Sequence, residues 1–191
     1  MKIWRDTGDE AVAAIAGVLQ RGGIALLPTD TIYGLHAVAA NDAAVARIAE
    51  LKGRGDDKPF VVIAASADQL RAFGAEVPDA LDGLWPAPLT AVMRRGAGTV
   101  AARVPDLGWL RELLKKTGPL VSTSANRAGE PPISAIVELA KDVASGVDAA
   151  IDAGRREGKP STIVDFTGRS PRLVREGDPL FAQNLRKSLR I

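Results

Sequence analysis

Apolar and polar positions along the chain alternate between two periods, one fitting short buried strands and the other fitting helices. Ile24-Ala-Leu-Leu27 is an apolar run closed by Pro28 and followed by the polar turn Thr29-Asp-Thr31 and then Tyr33-Gly34, the pattern of a buried strand feeding a structured loop. Asn41 is placed to cap a helix running through about Leu51, with Asp42 in its first turn, Val45, Ile48, Ala49 and Leu51 at near-helical spacing, and Gly53 as its stop. Phe60-Val-Val-Ile63 predicts the next strand, and Ser66-Ala-Asp-Gln69 opens a short helix with an approximate capping box. Residues 81–85 predict a helix end before Pro86.

Residues 89–93 and 99–104 predict two strands joined across Gly96-Ala-Gly98, and residues 106–116 a helix closed by Gly118. Residues 119–123 predict a further strand. Ser134 is placed to start a helix through about Ala144, followed by short strands at 149–152, 161–166 and 172–175. The final stretch carries Leu180, Phe181, Leu185 and Leu189 and predicts a small amphipathic helix or tail over 178–191. With no repeat of about 20 to 50 residues, no heptads and no low-complexity linker, solenoid and coiled-coil architectures fall away. Strands interleaved with helices predict an α/β fold with a twisted, mixed sheet.

Composition narrows the class. The 191 residues are 46% hydrophobic and 25% charged, which predicts one globular domain, or one with a short appendage. No apolar run reaches the roughly 18 to 20 residues of a membrane span, and the start lacks the apolar stretch of a secretion signal, so a cytoplasmic protein without a membrane partner is expected. Zero cysteines exclude disulfides, thiolate metal sites and cysteine nucleophiles, and the single histidine, His36, excludes a multi-histidine metal centre. His36 is a candidate general base by chemistry but reads more simply as a loop residue. The net charge of +2 is too small to imply nucleic-acid binding by itself. Seventeen arginines against eight lysines suit bidentate recognition of phosphate or carboxylate, and equally fit a compositional bias.

Neither a P-loop nor a dinucleotide-binding glycine fingerprint occurs. Four constellations carry chemistry instead. Pro28-Thr-Asp-Thr-Ile-Tyr-Gly34 puts two hydroxyls and a carboxylate directly after a buried strand, and would by itself also fit an ordinary polar turn. Lys52-Gly-Arg-Gly-Asp-Asp-Lys-Pro59 gathers Lys52, Arg54 and Lys58 after a helix; the helix dipole accounts for Lys52 but not for the two cations beyond it. Ser122-Thr-Ser-Ala-Asn126 clusters neutral donors, again compatible with a plain strand-end turn. Arg103 and Arg175 sit at strand ends among apolar neighbours, where an arginine calls for an anionic partner. Hydroxyl-rich loops with Lys and Arg but no nucleophile describe a site that positions anions and stabilises developing charge, the logic of phosphoryl or nucleotidyl transfer.

Taken in order, Leu27-Pro-Thr-Asp-Thr-Ile-Tyr-Gly-Leu35, Leu51-Lys-Gly-Arg54 with Lys58-Pro59, Leu84-Trp-Pro-Ala-Pro-Leu-Thr90, Thr99-Val-Ala-Ala-Arg-Val-Pro105, Pro119-Leu-Val-Ser-Thr-Ser-Ala-Asn126 and Leu173-Val-Arg-Glu-Gly177 closely resemble the YrdC family of threonylcarbamoyl-AMP synthases. The resemblance spans about residues 10 to 177. It implies a single YrdC-like domain over 1–177 with a concave basic cavity, in the short form of the family, followed by the 178–191 segment. It also implies synthesis of L-threonylcarbamoyladenylate and pyrophosphate from L-threonine, bicarbonate or CO2, and ATP with Mg2+. The product would feed a threonylcarbamoyl transferase complex acting on tRNA adenosine 37, with tRNA itself a further candidate partner. By the same resemblance Lys52 and Arg54 are the catalytic cations; Arg54, Lys58, Thr99, Ser124, Asn126 and Arg175 would bind ATP; and Thr31, Arg103, Ser122 and Ser161 would bind threonine, with no protein metal ligands. The chain departs from the family pattern at His36 and Ala87, where glycines are usual, at Pro132, and before Ser161, where a glutamate is missing. The competing expectation is a module of the same fold that binds RNA or a nucleotide without turnover.

Overall fold

The computed structural model describes residues 1–53, 59–127 and 129–191. In chain order the elements are β1 (Lys2–Trp4), α1 (Asp9–Gln20), β2 (Ala25–Pro28), β3 (Tyr33–Val38), α2 (Asp42–Leu51), β4 (Val61–Ile63), α3 (Ala67–Ala72), β5 (Leu89–Arg95), β6 (Gly98–Arg103), α4 (Gly108–Thr117), β7 (Leu120–Ser124), α5 (Lys141–Ser145), β8 (Ala149–Ile151), β9 (Thr162–Asp165), β10 (Arg172–Arg175) and α6 (Pro179–Leu189). Among the described residues the ten strands form one sheet in the order β1-β8-β2-β3-β7-β4-β6-β5-β9-β10. Parallel pairs (β1 with β8, β8 with β2, β4 with β6, β5 with β9) occur together with antiparallel ones, as the mixed-sheet expectation requires.

Local signals place several boundaries. Asn41 accepts a hydrogen bond from the Ala44 amide to start α2, Ser66 accepts from Gln69 to start α3, and Gly118 closes α4 with a positive φ of 76°. Helix α4 begins two residues later than expected because the Asp106 amide donates to Asp30 Oδ2 at 3.1 Å, tying Asp106 to the turn after β2. The segment expected to be one helix from Ser134 is a short 3₁₀ turn at Ile136–Glu138 and then α5. Glu138 Oε2 accepts from the amides of Ser134 and Ala135, and Leu139 and Ala140 are extended, which lets Ile136, Leu139 and Val143 all reach one apolar cluster. Residues 81–85 likewise form no α-helix; a 3₁₀ turn at Asp79–Leu81 precedes a cis Trp85-Pro86 bond.

Strand β3 departs from the sequence expectation of a loop at Tyr33-Gly34. Its apolar positions Tyr33, Leu35 and Ala37 do alternate, but Gly34 and His36 between them break the usual strand signature. In the structure β3 pairs with β2 from Pro28↔Tyr33 to Ala25↔His36, and with β7 from Gly34↔Ser124 to Val38↔Leu120.

The two faces of the sheet are covered differently. One face packs Leu26, Tyr33 and Leu35 against α2, the 3₁₀ turn and α5, and packs Leu89, Ala91 and Val164 against α3 and α6. On the other face Ala25, Leu27, Ile63 and Leu120 meet α1 and α4. Helix α1 supplies Val12, Ile15, Ala16 and Leu19, a single helical stripe, and α4 supplies Leu110, Leu113 and Leu114. At roughly 1.5 to 3 kcal/mol for each large side chain removed from water, this packing anchors that half of the face. The remaining half has no helix across it among the described residues, and the cavity lies there.

Candidate functional site

Pairing registers dictate which side chains share the open half of the face. Residues two apart on one strand, and register partners on neighbouring strands, point the same way. Gly34 on β3, Ser122 and Ser124 on β7, Val61 on β4, Ala101 and Arg103 on β6, Val92 on β5, and Ile163 on β9 therefore form one surface. They line a cavity of about 580 Å³, walled further by Thr29, Thr31, Pro59, Phe60, Pro132, Pro160, Ser161, Val174 and Arg175.

The turn between β2 and β3 is held by Thr29. Its hydroxyl donates to the Ile32 carbonyl at 2.8 Å and accepts from the amides of Thr31 and Ile32. Because that proton is committed, the 2.9 Å contact between the two threonine hydroxyls runs with Thr31 donating to Thr29. Thr31 Oγ1 accepts in turn from Arg103 Nη1 at 3.1 Å. Arg103 is 4% exposed and lies 3.3 Å from Asp30 Oδ1, a buried ion pair at the cavity wall. Burial lowers the Arg103 pKa from its ordinary value, Asp30 raises it again, and the charge of Arg175 lowers it further. Its Nε is buried without a hydrogen-bond partner among the described residues. A guanidinium with an unused donor beside a cavity fits an anionic ligand.

Also on the lining, Ser161 Oγ meets Thr90 Oγ1 at 2.8 Å, and Arg175 donates through Nε and Nη2 to the Ser161 carbonyl at 3.2 and 2.8 Å. Arg175 is exposed at the cavity rim, and partial desolvation of its guanidinium lowers its pKa.

Lys52 takes a position the sequence reading did not anticipate. The family resemblance makes it a catalytic cation facing the triphosphate or the carboxylated intermediate; in the structure it is 5% exposed and its ammonium donates to the carbonyls of Ser124 and Asn126, both at 2.7 Å, and to Asn126 Oδ1 at 3.0 Å. The lysine after α2 thus braces the chain leaving β7, two segments more than 70 residues apart in sequence. Asn126 Nδ2 donates onward to the carbonyls of Arg127 and Glu130, fixing the following turn.

Thr31, Arg103, Ser122, Ser124, Ser161 and Arg175 all line the cavity. Asn126 is buried beside Lys52, next to the lining. Thr99 shares the face of Ala101 and Arg103 but sits farther out, exposed beside the β5–β6 turn and outside the lining. Arg54 and Lys58 lie outside the described residues. His36, read as a loop residue, is instead a fully buried strand residue beneath the cavity. One glycine and a tyrosine were missed. A Cβ on Gly158 would fall 2.0 Å from the Thr31 carbonyl oxygen, so only glycine lets the 153–160 segment cross the Thr31 turn. Tyr33 anchors the start of that segment by donating to the Gly154 carbonyl at 2.8 Å and accepting from the Ala153 amide at 3.0 Å. Nothing in the local sequence of either segment reveals that crossing.

An uncovered half-face of a mixed sheet, rimmed by hydroxyls, the buried Arg103 and the exposed Arg175, defines an α/β domain with a cavity whose side chains suit a small anionic ligand. The family model Sua5_yciO_yrdC, described as "Telomere recombination", matches residues 17–177. The chain belongs to the Sua5/YciO/YrdC family. It is 35% identical over 178 residues to a threonylcarbamoyl-AMP synthase of Pyrococcus abyssi, covering 85% of this chain and 52% of that protein. It is 34% identical over 185 residues to a threonylcarbamoyl-AMP synthase of Stutzerimonas stutzeri, covering 88% of this chain and 98% of that one. The chain thus spans about half of the archaeal relative and nearly all of the bacterial one. The crystal structure of Pyrococcus abyssi Sua5 complexed with L-threonine superposes with a TM-score of 0.88 at 32% identity, over 98% of this chain and 60% of that one.

Proposed function

We propose that this chain is a threonylcarbamoyl-AMP synthase, a nucleotidyltransferase joining L-threonine, bicarbonate or CO2, and ATP into L-threonylcarbamoyladenylate with release of pyrophosphate. The observation that carries this reading is the convergence of Thr31, Arg103, Ser122, Ser161 and Arg175 on one cavity in a chain without cysteine. The names of the two relatives and the threonine complex of the archaeal one support the same activity.

The chemistry needs no protein nucleophile. Threonine's amine adds to CO2 and loses a proton to give a carbamate, whose oxygen attacks the α-phosphorus of ATP while pyrophosphate departs with the bond electrons. The protein's contribution is to bring three small reactants into one place and to stabilise negative charge. Arg103, held by Asp30 and Thr31, would take the threonine carboxylate, with Ser122 and Ser161 on the same ligand. Arg175, Ser124 and Asn126, together with Arg54 and Lys58, would bind ATP, and Lys52 would hold Ser124 and Asn126 in register. Mg2+ would enter as part of the ATP substrate. Among the described residues no group of three acidic or histidine side chains could hold it, and Asp30 is occupied by Arg103 and the Asp106 amide. Magnesium bound mainly through substrate phosphates and water fits that arrangement. The product would pass in the cytoplasm to a threonylcarbamoyl transferase complex that modifies tRNA adenosine 37.

Pyrophosphate release from Mg-ATP, with threonine and bicarbonate each withheld in turn, tests the proposal. Release requiring both supports the synthase. Nucleotide binding without release under any condition replaces it with the non-catalytic module.

A further inference from the structure

On β3, His36 occupies the place where packed core gives way to cavity. Along β3 its same-face neighbours are Val38, packed with the α1–α4 cluster, and Gly34, which lines the cavity. Its register partner on β7 is Ser122, and its Nε2 lies 3.1 Å from Ser122 Oγ. The ring reaches back over Gly34, where an added Cβ would stand 2.9 Å from Cε1 and 3.3 Å from Nε2. The imidazole therefore lies under the cavity floor, wedged between Gly34 and the Ser122 hydroxyl, with 0% of the residue exposed.

A neutral imidazole carries one N–H and one lone pair, and which of them faces Ser122 decides what Ser122 offers the cavity. Burial, and then the charge of Arg103, lower the His36 pKa to about 4, so the ring is neutral at pH 7. The backbones of Gly34 and Ala25 pull that value partly back, but neither meets Nδ1 in hydrogen-bond geometry, and Nδ1 has no hydrogen-bond partner among the described residues. An orphaned buried donor costs more than an orphaned lone pair. The proton accordingly belongs on Nε2, where an acceptor waits, and the bare lone pair on Nδ1.

We propose that His36 is a positioning residue whose Nε2–H donates to Ser122 Oγ, turning the Ser122 hydroxyl hydrogen into the cavity as a donor to the carboxylate of the bound amino acid, on the same side as Arg103. The identity of that ligand rests on the proposed synthase activity; the polarity of the His36–Ser122 bond does not.

Two measurements separate these parts. Because His36 is the only histidine in the chain, its imidazole signals in long-range proton–nitrogen NMR of the wild-type protein need no assignment. A protonated Nε2 with a bare Nδ1 is expected, and the opposite tautomer overturns the proposal whatever the enzyme does. In steady-state assays His36→Leu is expected to raise the KM for threonine about tenfold, the value of one hydrogen bond to a charged group. The larger part of the loss should fall in that KM rather than in kcat or the KM for ATP. His36→Gln, whose amide can donate to Ser122, should recover most of it. Ser122→Ala should match His36→Leu, with no further loss in the double variant. An unchanged threonine KM in folded His36→Leu, or an equal rise in the KM for ATP, overturns the positioning role. Absence of threonine-dependent turnover in the wild type overturns the synthase reading and the carboxylate with it, while the tautomer still decides the hydrogen bond.

Discussion

The two halves of one sheet face are made from the same strands and end in opposite uses. Where α1 and α4 cross, the inward positions of β2, β4 and β7 are Leu27, Ile63 and Leu120, and every one is fully buried in apolar contact. A few residues further along, the same alternation delivers Ser122 and Ser124 on β7, Val61 on β4 and Gly34 on β3, with Arg103 next to Ile63 in register. The difference is set by what covers the strands. Under a helix an inward polar group would be buried without water and must be apolar or paired, whereas under a cavity it can wait for a ligand. The covered half should therefore answer substitution in stability, and the open half in substrate affinity.

Arg103→Met should give the largest effect on the open side. Losing charge-assisted bonds to a carboxylate is worth about 3 kcal/mol, or about a 100-fold rise in the KM for threonine. The substitution also strands Asp30, so stability should fall as well. Adding Asp30→Asn should restore stability but not threonine affinity. Recovery of both in the double variant would show that Arg103 acts only through the ion pair and would erase the contrast between the halves.

Leu113→Ala is the matching change on the covered side. Leu113 is fully buried between α4 and the α1 stripe, and a leucine-to-alanine change in such a site costs about 3 kcal/mol. Urea unfolding should show that loss while the threonine and ATP KM values stay near those of the wild type. A shifted threonine KM would mean that packing under the helices controls the cavity.

His36 lies on the boundary and should register in both ways. Its folded pKa of about 4 is below the ordinary 6.5, so the neutral folded form contributes stability that is fully present above pH 6.5 and is lost as pH falls toward 4. The full loss is about 3 kcal/mol. His36→Leu has no such group to protonate, and its urea midpoint should drop correspondingly less than that of the wild type between pH 7 and pH 4. Parallel losses in the two proteins would mean that the histidine is not held neutral.

The same boundary marks how far the sequence could be followed. Signals carried within four residues translated directly into structure, as with the Asn41 and Ser66 caps and the positive φ of Gly118. The hydroxyl turn at Thr29–Thr31 and the Arg103 and Arg175 strand ends were legible as chemistry because polar groups among apolar neighbours demand partners. Helix α1 was not assigned, since Gly8 gives it no side-chain cap and its stripe gains meaning only against α4. Long-range pairings were out of reach as well. Lys52 reads as one of a run of cations until β7 brings two carbonyls to it, and His36 reads as loop until Ser122 appears beside it.

Thr99 gives the smallest expected effect and the finest test of where the open half ends. Alternation along β6 puts it on the cavity face with Ala101 and Arg103, and the family resemblance assigns it to ATP. In the structure it pairs with Arg94 one step from the Gly96 turn and is exposed beyond the lining. A hydroxyl already in water gives up one solvent hydrogen bond for each it makes to a ligand, so Thr99→Val should change the KM for ATP by no more than about twofold. A rise of about tenfold would instead require that the nucleotide extend past Ala101 to the hairpin end. The open half would then be longer than the cavity that now defines it, and the β5–β6 hairpin would join the ATP site.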